Sequence, residues 1–367
     1  MVRDRVDGLT AAAAYPRGMQ TERRLTSFSH GAGCGCKLGP DVLQSVLGEL
    51  ALPVSGGDML VASETGDDAA VYAMPGGSAV VTTVDVFTPI VDDAYDWGRI
   101  AAANALSDVY AMGGSPKIAL NVAAWPVDDL PVTMLGDVLR GGRDVATEAG
   151  VIVAGGHTIT STEPIYGMVA VGFVNPRDMI RNDAARPGMS LFLTKPIGTG
   201  MIATAIKRGE ATEDQAAAAV ATMTTLNAAA SVAAVDSGVT AGTDVTGFGL
   251  LGHLRKMLDA SGCAAELDAG AIPLLTGVLE LAQRDVVAGG TKRNHAWVAP
   301  VTDFGELTAP ERFVLADAQT SGGLLLATAR PGILRANLRS EGVDFAEIGR
   351  VVAGDAGSIA VRGRVSG

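Results

Sequence analysis

Residues 29 to 40 read Ser-His-Gly-Ala-Gly-Cys-Gly-Cys-Lys-Leu-Gly-Pro, which places two thiols, Cys34 and Cys36, between glycines with Lys37 beside the second. Glycines 31, 33 and 35 let the main chain take positive φ and approach a ligand closely, so the stretch reads as a mobile loop. Gly39-Pro40 reads as the N-cap and first position of a helix. A lysine and a helix N-terminus both favour thiolate over thiol. Two other readings compete: a flexible segment without chemistry, and half of a zinc site. Zinc needs four ligands, and only Cys263 and four histidines remain, none at finger spacing. The stretch is not a P-loop, because Cys36 stands where the second glycine belongs and Leu38 where Ser or Thr would hold magnesium.

Carboxylates form the second group. Asp67, Asp68, Asp85, Asp108 and Asp244 recur beside small residues, where a ligand can approach, and carboxylate oxygens suit Mg²⁺. A single Asp at a strand end is more commonly a turn or cap. If several converge they need a cation, since like charges about 4 Å apart repel by roughly 4 kcal/mol at an effective dielectric near 20. An acidic pocket therefore holds nucleotide phosphates only through bridging cations. Asp92, Asp93 and Asp96 read as a solvated loop. His30 and His157, beside glycines, are candidate active-site residues or hydrogen-bonded structural groups, and His253 reads as a cap or packing residue. Gly247-x-Gly249-x-x-Gly252 matches the dinucleotide fingerprint, with Glu266 or Asp268 downstream, and makes a nicotinamide-dependent oxidoreductase the alternative function. Gly198-x-Gly200-x-x-Ala203 nearly repeats it. Both sets are equally explained by close helix-sheet packing.

The elements that must carry these residues follow from hydrophobic periodicity. Helices are expected over Asp41–Leu50, Trp97–Met112, Leu130–Ala149 and Ala216–Val235. Strands are expected over Ala79–Val84, Lys117–Trp125, Ile165–Val174, Ser190–Thr194 and Leu324–Thr328, with a short buried one over Val151–Ala154 that ends in Gly155-Gly156-His157-Thr158. The Trp97–Met112 helix is apolar nearly all round and so buried, yet carries Asn104 and Asp108 four apart; Asp108 must then meet a cation or donor. The organisation expected is a disordered extension over 1–24, a mobile loop over 25–40, an α+β domain with some antiparallel pairing over 41–180, and a second domain over 181–367, with the linker between Asn175 and Met189.

Composition narrows the class. The 367 residues carry 28 basic and 40 acidic side chains, a formal charge of -12, which argues against nucleic acid or an anionic membrane surface as partner. A hydrophobic content of 48% with 47 glycines fits a tightly wound globular chain. No run of about 18 apolar residues occurs. An odd cysteine count of three fits a reducing cytoplasm better than a disulfide framework.

Taken together, Ser29 to Lys37, Gly66-Asp-Asp-Ala-Ala-Val-Tyr72, Arg99-Ile-Ala-Ala-Ala-Asn-Ala-Leu-Ser-Asp108 with Tyr110-Ala-Met-Gly-Gly114, Ala154-Gly-Gly-His157, Thr243 to His253 and Gln319-Thr-Ser-Gly-Gly323 closely resemble the selenophosphate synthetase (selenide, water dikinase) family. The resemblance runs from about Leu25 to Val361. The Cys-Gly-Cys-Lys segment is specific to this branch, whereas the acidic segments also fit the wider aminoimidazole ribonucleotide synthetase-like superfamily. It implies a two-domain fold, with N-terminal mixed sheets pairing in a homodimer and an α/β domain behind. It also implies synthesis of selenophosphate, AMP and orthophosphate from ATP, selenide and water, with Mg²⁺. By motif position Cys34 and Lys37 are the catalytic residues and Asp68, Asp108 and Asp244 the magnesium ligands. Lys37, Thr65, Gly66, Asp67, Asp85, Asp108, Gly156, His157 and Thr158 are the nucleotide contacts, the last three reaching across the dimer interface. A selenium-delivery protein is a possible partner, and a non-catalytic ATP-sensing homologue is a further alternative. Phosphoryl transfer asks mainly for placement and charge cancellation, which suits a thiol-bearing loop that closes over metal-bound phosphates.

Overall fold

The computed structural model describes residues 24–29, 31, 46, 54–63 and 66–366. The expectations for the extension before Arg24, for His30, Cys34, Cys36, Lys37 and Thr65, and for the helix over Asp41–Leu50 apart from Val46, lie outside the described residues.

The first half forms a six-stranded sheet from β1 (Met59–Val61), β2 (Ala70–Ala73), β3 (Ala79–Phe87), β4 (Ser115–Trp125), β5 (Ile152–Thr160) and β6 (Ile165–Val174), in the order β1-β2-β3-β6-β4-β5. All pairs are antiparallel except β4 with β5. Two helices, α1 (Ala94–Ala111) and α2 (Val132–Glu148), accompany it. In β3 the run Ala-Val-Val-Thr-Thr-Val-Asp-Val-Phe sends alternate side chains to opposite faces. Ala79, Val81, Asp85 and Phe87 are buried, while Thr82, Val84 and Val86 are exposed. Ile118, Leu120 and Phe173 are exposed as well, and the register sets Val84 and Leu120 on either side of Val169. One face of the sheet is thus apolar and open.

The second half contains β7 (Ser190–Leu193), α3 (Thr199–Arg208), α4 (Glu213–Thr224), α5 (Ala228–Asp236), β8 (Ala241–Asp244), α6 (Gly249–Ser261), β9 (Ala264–Asp268), α7 (Val278–Gln283), α8 (Gly289–Val298), β10 (Thr302–Asp303), α9 (Ala309–Leu315), β11 (Leu324–Thr328), α10 (Pro331–Ser340), β12 (Ala346–Val352) and β13 (Ile359–Arg362). Its seven strands lie in the order β10-β13-β9-β12-β7-β11-β8. Only β13 runs parallel to its neighbours β9 and β10, so this α/β layer is mixed.

Three elements depart from the sequence reading. Helix α1 begins at Ala94 because the Asp93 carboxylate caps it, accepting from the Asp96 N–H at 2.8 Å. The neighbouring acids are also engaged: Asp92 accepts from Thr26 and Arg24, and Asp96 pairs with Arg99. The helix expected over Ala216–Val235 is two helices, α4 and α5, bent by 48°. They break at Thr225 to Asn227, where the Asn227 amide donates to Ser107 Oγ and to the Gly322 carbonyl instead of serving a helix end. The short buried strand becomes β5, a nine-residue edge strand that is largely exposed and carries Gly155 to Thr158 within it. No described helix is long and apolar enough to cross a membrane.

Candidate active site

Helix α1 lies against β3 and also touches α4, α5 and β8, so it stands between the two halves. Its buried polar residues Asn104, Ser107 and Asp108 share one face by their i, i+3, i+4 spacing. Asn104 Nδ2 donates to Asp85 Oδ2 at 2.6 Å, and Thr83 Oγ1 donates to Asp108 Oδ2 at 2.6 Å. The match is geometric: two residues along a strand advance about 6.8 Å and four along a helix about 6 Å, so the inward pair 83 and 85 meets 108 and 104 in reverse order. Asp108 thus finds the donor its burial requires.

From the same face Ser107 Oγ donates to Asp244 Oδ2 at 2.6 Å, at the end of β8. The Asp68 carboxylate sits beside Asp244, with Oδ1 accepting from Thr243 Oγ1 at 2.7 Å. Its Oδ2 is buried and has no hydrogen-bond partner among the described residues. Burial first, then the charges of Asp244 and Asp67, push the Asp68 carboxyl well above the usual range. Asp67, which accepts from the Asn182 and Asp68 N–H groups, is raised to about 6, mainly by burial. Asp68, Asp244 and His253 offer ligand atoms all within 4.8 Å of one another. An orphaned buried carboxylate oxygen beside a second carboxylate is a donor set that fits a hard divalent cation. His253 has a structural task as well, since the Thr246 N–H donates to its Nε2 at 3.2 Å and holds the turn after Asp244. From α6, Lys256 Nζ donates to the Gly66 carbonyl at 2.6 Å, tying the 66–68 segment to the second half.

Behind Asp244 lies a buried lysine. Lys195 Nζ donates to the carbonyls of Thr225 at 2.6 Å and Ser321 at 2.9 Å. Burial brings its pKa down to about 7, with Asp244 pulling the other way. Ser321 has φ of 49°, a left-handed conformation a non-glycine residue holds only when its surroundings fix it. Its N–H donates to Asn104 Oδ1 at 2.8 Å, and Asn104 in turn holds Asp85. Gln319, two residues earlier, accepts from Gly198 N, Thr199 N and Thr199 Oγ1, and Asp317 accepts from Met201 N. The glycines of 198–203 therefore open α3 onto this buried polar cluster: a Cβ on Gly200 would lie 2.1 Å from the Ala318 carbonyl.

The dinucleotide reading of 247–252 fails on the same ground. Strand β8 pairs antiparallel with β11 and starts no βαβ unit. Gly249, at φ +70°, has no room for a Cβ against the Asp317 and Ala316 carbonyls. These glycines let α6 approach the 316–318 backbone.

Residues 66–174 match the family described as AIR synthase related protein, N-terminal domain, and residues 186–362 match AIR synthase related protein, C-terminal domain. A selenide, water dikinase of Myxococcus xanthus (strain DK1622) is 49% identical over 341 residues, 91% of this chain and 96% of its own. The chain belongs to the selenide, water dikinase family. Another member, from Photorhabdus laumondii, is 43% identical over 345 residues, 94% of this chain and 99% of its own. The fold is also that of tt0281 from Thermus thermophilus, with a TM-score of 0.68 and 21% identity over 90% of this chain and 99% of that one.

Of the residues the sequence reading singled out, Asp85 and Asp244 are held by α1 and Asp108 by β3, Asp68 is held by Thr243 of β8, and Gly66 and Asp67 are tied to Lys256 and Asn182. Asp108 stays outside the 4.8 Å group because it is turned to Thr83. Gly156, His157 and Thr158 are not brought there within one chain: β5 lies three strands from β3, roughly 14 Å across the sheet. Gly156 has a local reason to be glycine, since a Cβ would sit 2.1 Å from the Asn121 carbonyl. The start of the thiol-bearing stretch is tied down. Ser29 Oγ donates to Thr88 Oγ1 at 2.6 Å, just beyond β3, and Lys207 Nζ donates to the Ser29 carbonyl at 2.5 Å. Sequence reasoning missed Ser107 and Lys195, and read His253 only as a cap or packing residue, which its bond from the Thr246 N–H and its contact with Phe248 fit. Ser107 had a signal, a polar residue on the Asn104–Asp108 face; Lys195 had none, since one lysine after a strand looks like any exposed lysine.

Proposed function

We infer that this protein is a selenide, water dikinase that makes selenophosphate, AMP and orthophosphate from ATP, selenide and water. The observation that carries the reading is the half-buried Asp68 beside the buried Asp244, with one Asp68 oxygen buried and without a partner among the described residues, in a chain 43% to 49% identical to selenide, water dikinases over most of its length.

Asp68 and Asp244 would hold Mg²⁺, with Asp108 one residue from the Ser107 that anchors Asp244. When bound, the cation supplies the positive charge that lets an acidic pocket accept nucleotide phosphates. Thr65, Gly66, Asp67, Asp85 and Asp108 would contact the nucleotide from the first half, with Asn104 fixing the Asp85 carboxylate toward α1. Cys34 and Lys37, assigned by motif position, act on the γ-phosphoryl side: Lys37 cancels phosphate charge and contacts the nucleotide, and Cys34 guides selenium. The γ-phosphoryl group passes to hydroselenide, and water takes the β-phosphoryl group of the remaining diphosphate, leaving AMP. Hydroselenide is already anionic at neutral pH, so no strong base is required.

The protein acts as a homodimer in the cytoplasm. The open apolar face with Val84, Leu120 and Phe173 is what a second copy would cover, and pairing there would bring the partner's edge strand toward the nucleotide. The division into units near residue 180 and delivery of selenium by a partner protein belong to the same reading.

The test is anaerobic turnover with Mg²⁺-ATP, with and without selenide. AMP formation is expected only with selenide, and Cys34→Ala and Lys37→Ala are expected to abolish it. AMP released without selenide, or ADP as the final product, would overturn the assignment.

A further inference from the structure

Strand β7 lies between β12 and β11 and ends at Leu193. Two residues on, Lys195 is 6% exposed, and its Nζ donates to the main-chain carbonyls of Thr225 at 2.6 Å and Ser321 at 2.9 Å. No step of the proposed reaction uses it. Taking an amine out of water is costly even when it is bonded, and a well-packed apolar residue would stabilise a core as well or better. What sets Lys195 apart is what its two bonds join.

Both turns reach the polar face of α1. Two residues after Thr225, Asn227 Nδ2 donates to Ser107 Oγ at 2.8 Å, and Ser107 Oγ donates to Asp244 Oδ2 at 2.6 Å. In the other turn the Ser321 N–H donates to Asn104 Oδ1 at 2.8 Å, and Asn104 Nδ2 donates to Asp85 Oδ2 at 2.6 Å. Asn227 Nδ2 also donates to the Gly322 carbonyl at 2.9 Å, which closes the two turns on each other. One amine thus stands at the root of two chains of bonds, one ending on Asp244 and the other on Asp85.

Ser321 shows that the second turn is held from outside. Its φ of 49° is left-handed, yet its Oγ is buried without a hydrogen-bond partner among the described residues. The side chain contributes no bond that fixes this conformation, so the backbone bonds to Asn104 and Lys195 must. Gly323 packs against the same lysine: a Cβ there would lie 2.4 Å from Lys195 N.

We propose, on the reading of Asp244 as a metal ligand and Asp85 as a nucleotide contact, that Lys195 is a positioning residue. By joining the 225–227 and 319–323 turns it fixes Ser107 and Asn104, and through them sets the two carboxylates for Mg²⁺ and nucleotide.

Calorimetric titration of the full-length protein with Mg²⁺, and then with a non-hydrolysable ATP analogue, tests this without turnover. Lys195→Met keeps the length of the side chain and removes both donors. It is expected to weaken Mg²⁺ binding about tenfold, as loss of outer support for a ligand does, and analogue binding in the same direction. Glu311→Gln, expected to lower stability through lost bonds to Arg364, is the control and should bind Mg²⁺ as the parent does. Because Lys195 acts through Ser107, the double variant with Ser107→Ala should be no more than about threefold weaker than the weaker single variant, where independent effects would multiply. Should Lys195→Met not fold, the parent still decides: Mg²⁺ and the analogue together are expected to slow amide exchange at least about threefold in both turns. Parent-like Mg²⁺ affinity in Lys195→Met, an equal loss in Glu311→Gln, multiplying effects in the double variant, or exchange in the turns that the ligands leave unchanged would each overturn the proposal. A parent that binds no Mg²⁺ would overturn the metal site first, and this role of Lys195 with it.

Discussion

The Ser107 hydroxyl donates to the Asp244 carboxylate at 2.6 Å, joining the central helix of the first half to the end of β8 in the second. The same oxygen accepts from Asn227 Nδ2 at 2.8 Å. Ser107→Ala removes a donor from one buried group and an acceptor from another. It is expected to cost about 1–3 kcal/mol of stability and, because it supports Asp244, the proposed metal ligand, about 10- to 100-fold in Mg²⁺ affinity. Chemical denaturation and Mg²⁺ titration calorimetry measure the two effects. Unchanged Mg²⁺ affinity would remove Ser107 from the site.

Asp68 separates stability from function. Its carboxylate lies against Asp244 with one buried oxygen unpaired among the described residues, so Asp68→Asn relieves charge repulsion while weakening the proposed cation site. In metal-free buffer at pH 7.5 the variant is expected to be more stable than the parent by on the order of 1 kcal/mol, and to lose Mg²⁺-dependent turnover. Loss of activity together with lower metal-free stability would make Asp68 a structural residue only.

Subunit sharing has an arithmetical signature. If the chain forms the proposed homodimer, His157→Ala and Asp68→Ala chains, each expected to be inactive, would on refolding as an equal mixture give about half hybrid dimers, each with one site free of both lesions if every site spans two chains. Activity should return to about a quarter of the parent's. Recovery of none would place both residues in one chain's site. Leu120→Asp, on the open face, is expected to yield monomers in sedimentation velocity and no turnover.

Acid stability depends on Glu311, which is 2% exposed. Burial would raise its carboxyl, but hydrogen bonds from Arg364 and from Thr308 overcome it and bring the pKa from 4.5 down to about 2. A depressed carboxylate contributes stability that is complete above its unfolded pKa and is lost as pH falls toward the folded one. The melting temperature should therefore fall between pH 4.5 and pH 2, and Glu311→Gln should flatten that fall while lowering the plateau above it. Equal slopes in parent and variant would contradict this.

Much of this protein was readable from residue types and spacing alone. β-branched alternation marked β3 and β6, apolar residues all round marked α1, and the order of motifs from Ser29 to Gly323 marked the family, because each is a local property of a few consecutive residues. The family fold and the proposed metal-binding acids follow from that pattern without coordinates. Only the tertiary structure decided which polar groups meet. Ser107 reaches across 137 positions to Asp244, Asn104 across 217 to Ser321, and Lys195 across 126 to the Ser321 carbonyl. The break between α4 and α5 likewise follows from Asn227 finding Ser107, and the exposed run of β5 from its place at a sheet edge. A buried polar side chain is stable only with its partner, and in this chain the partner is supplied by a distant segment that folding brings near.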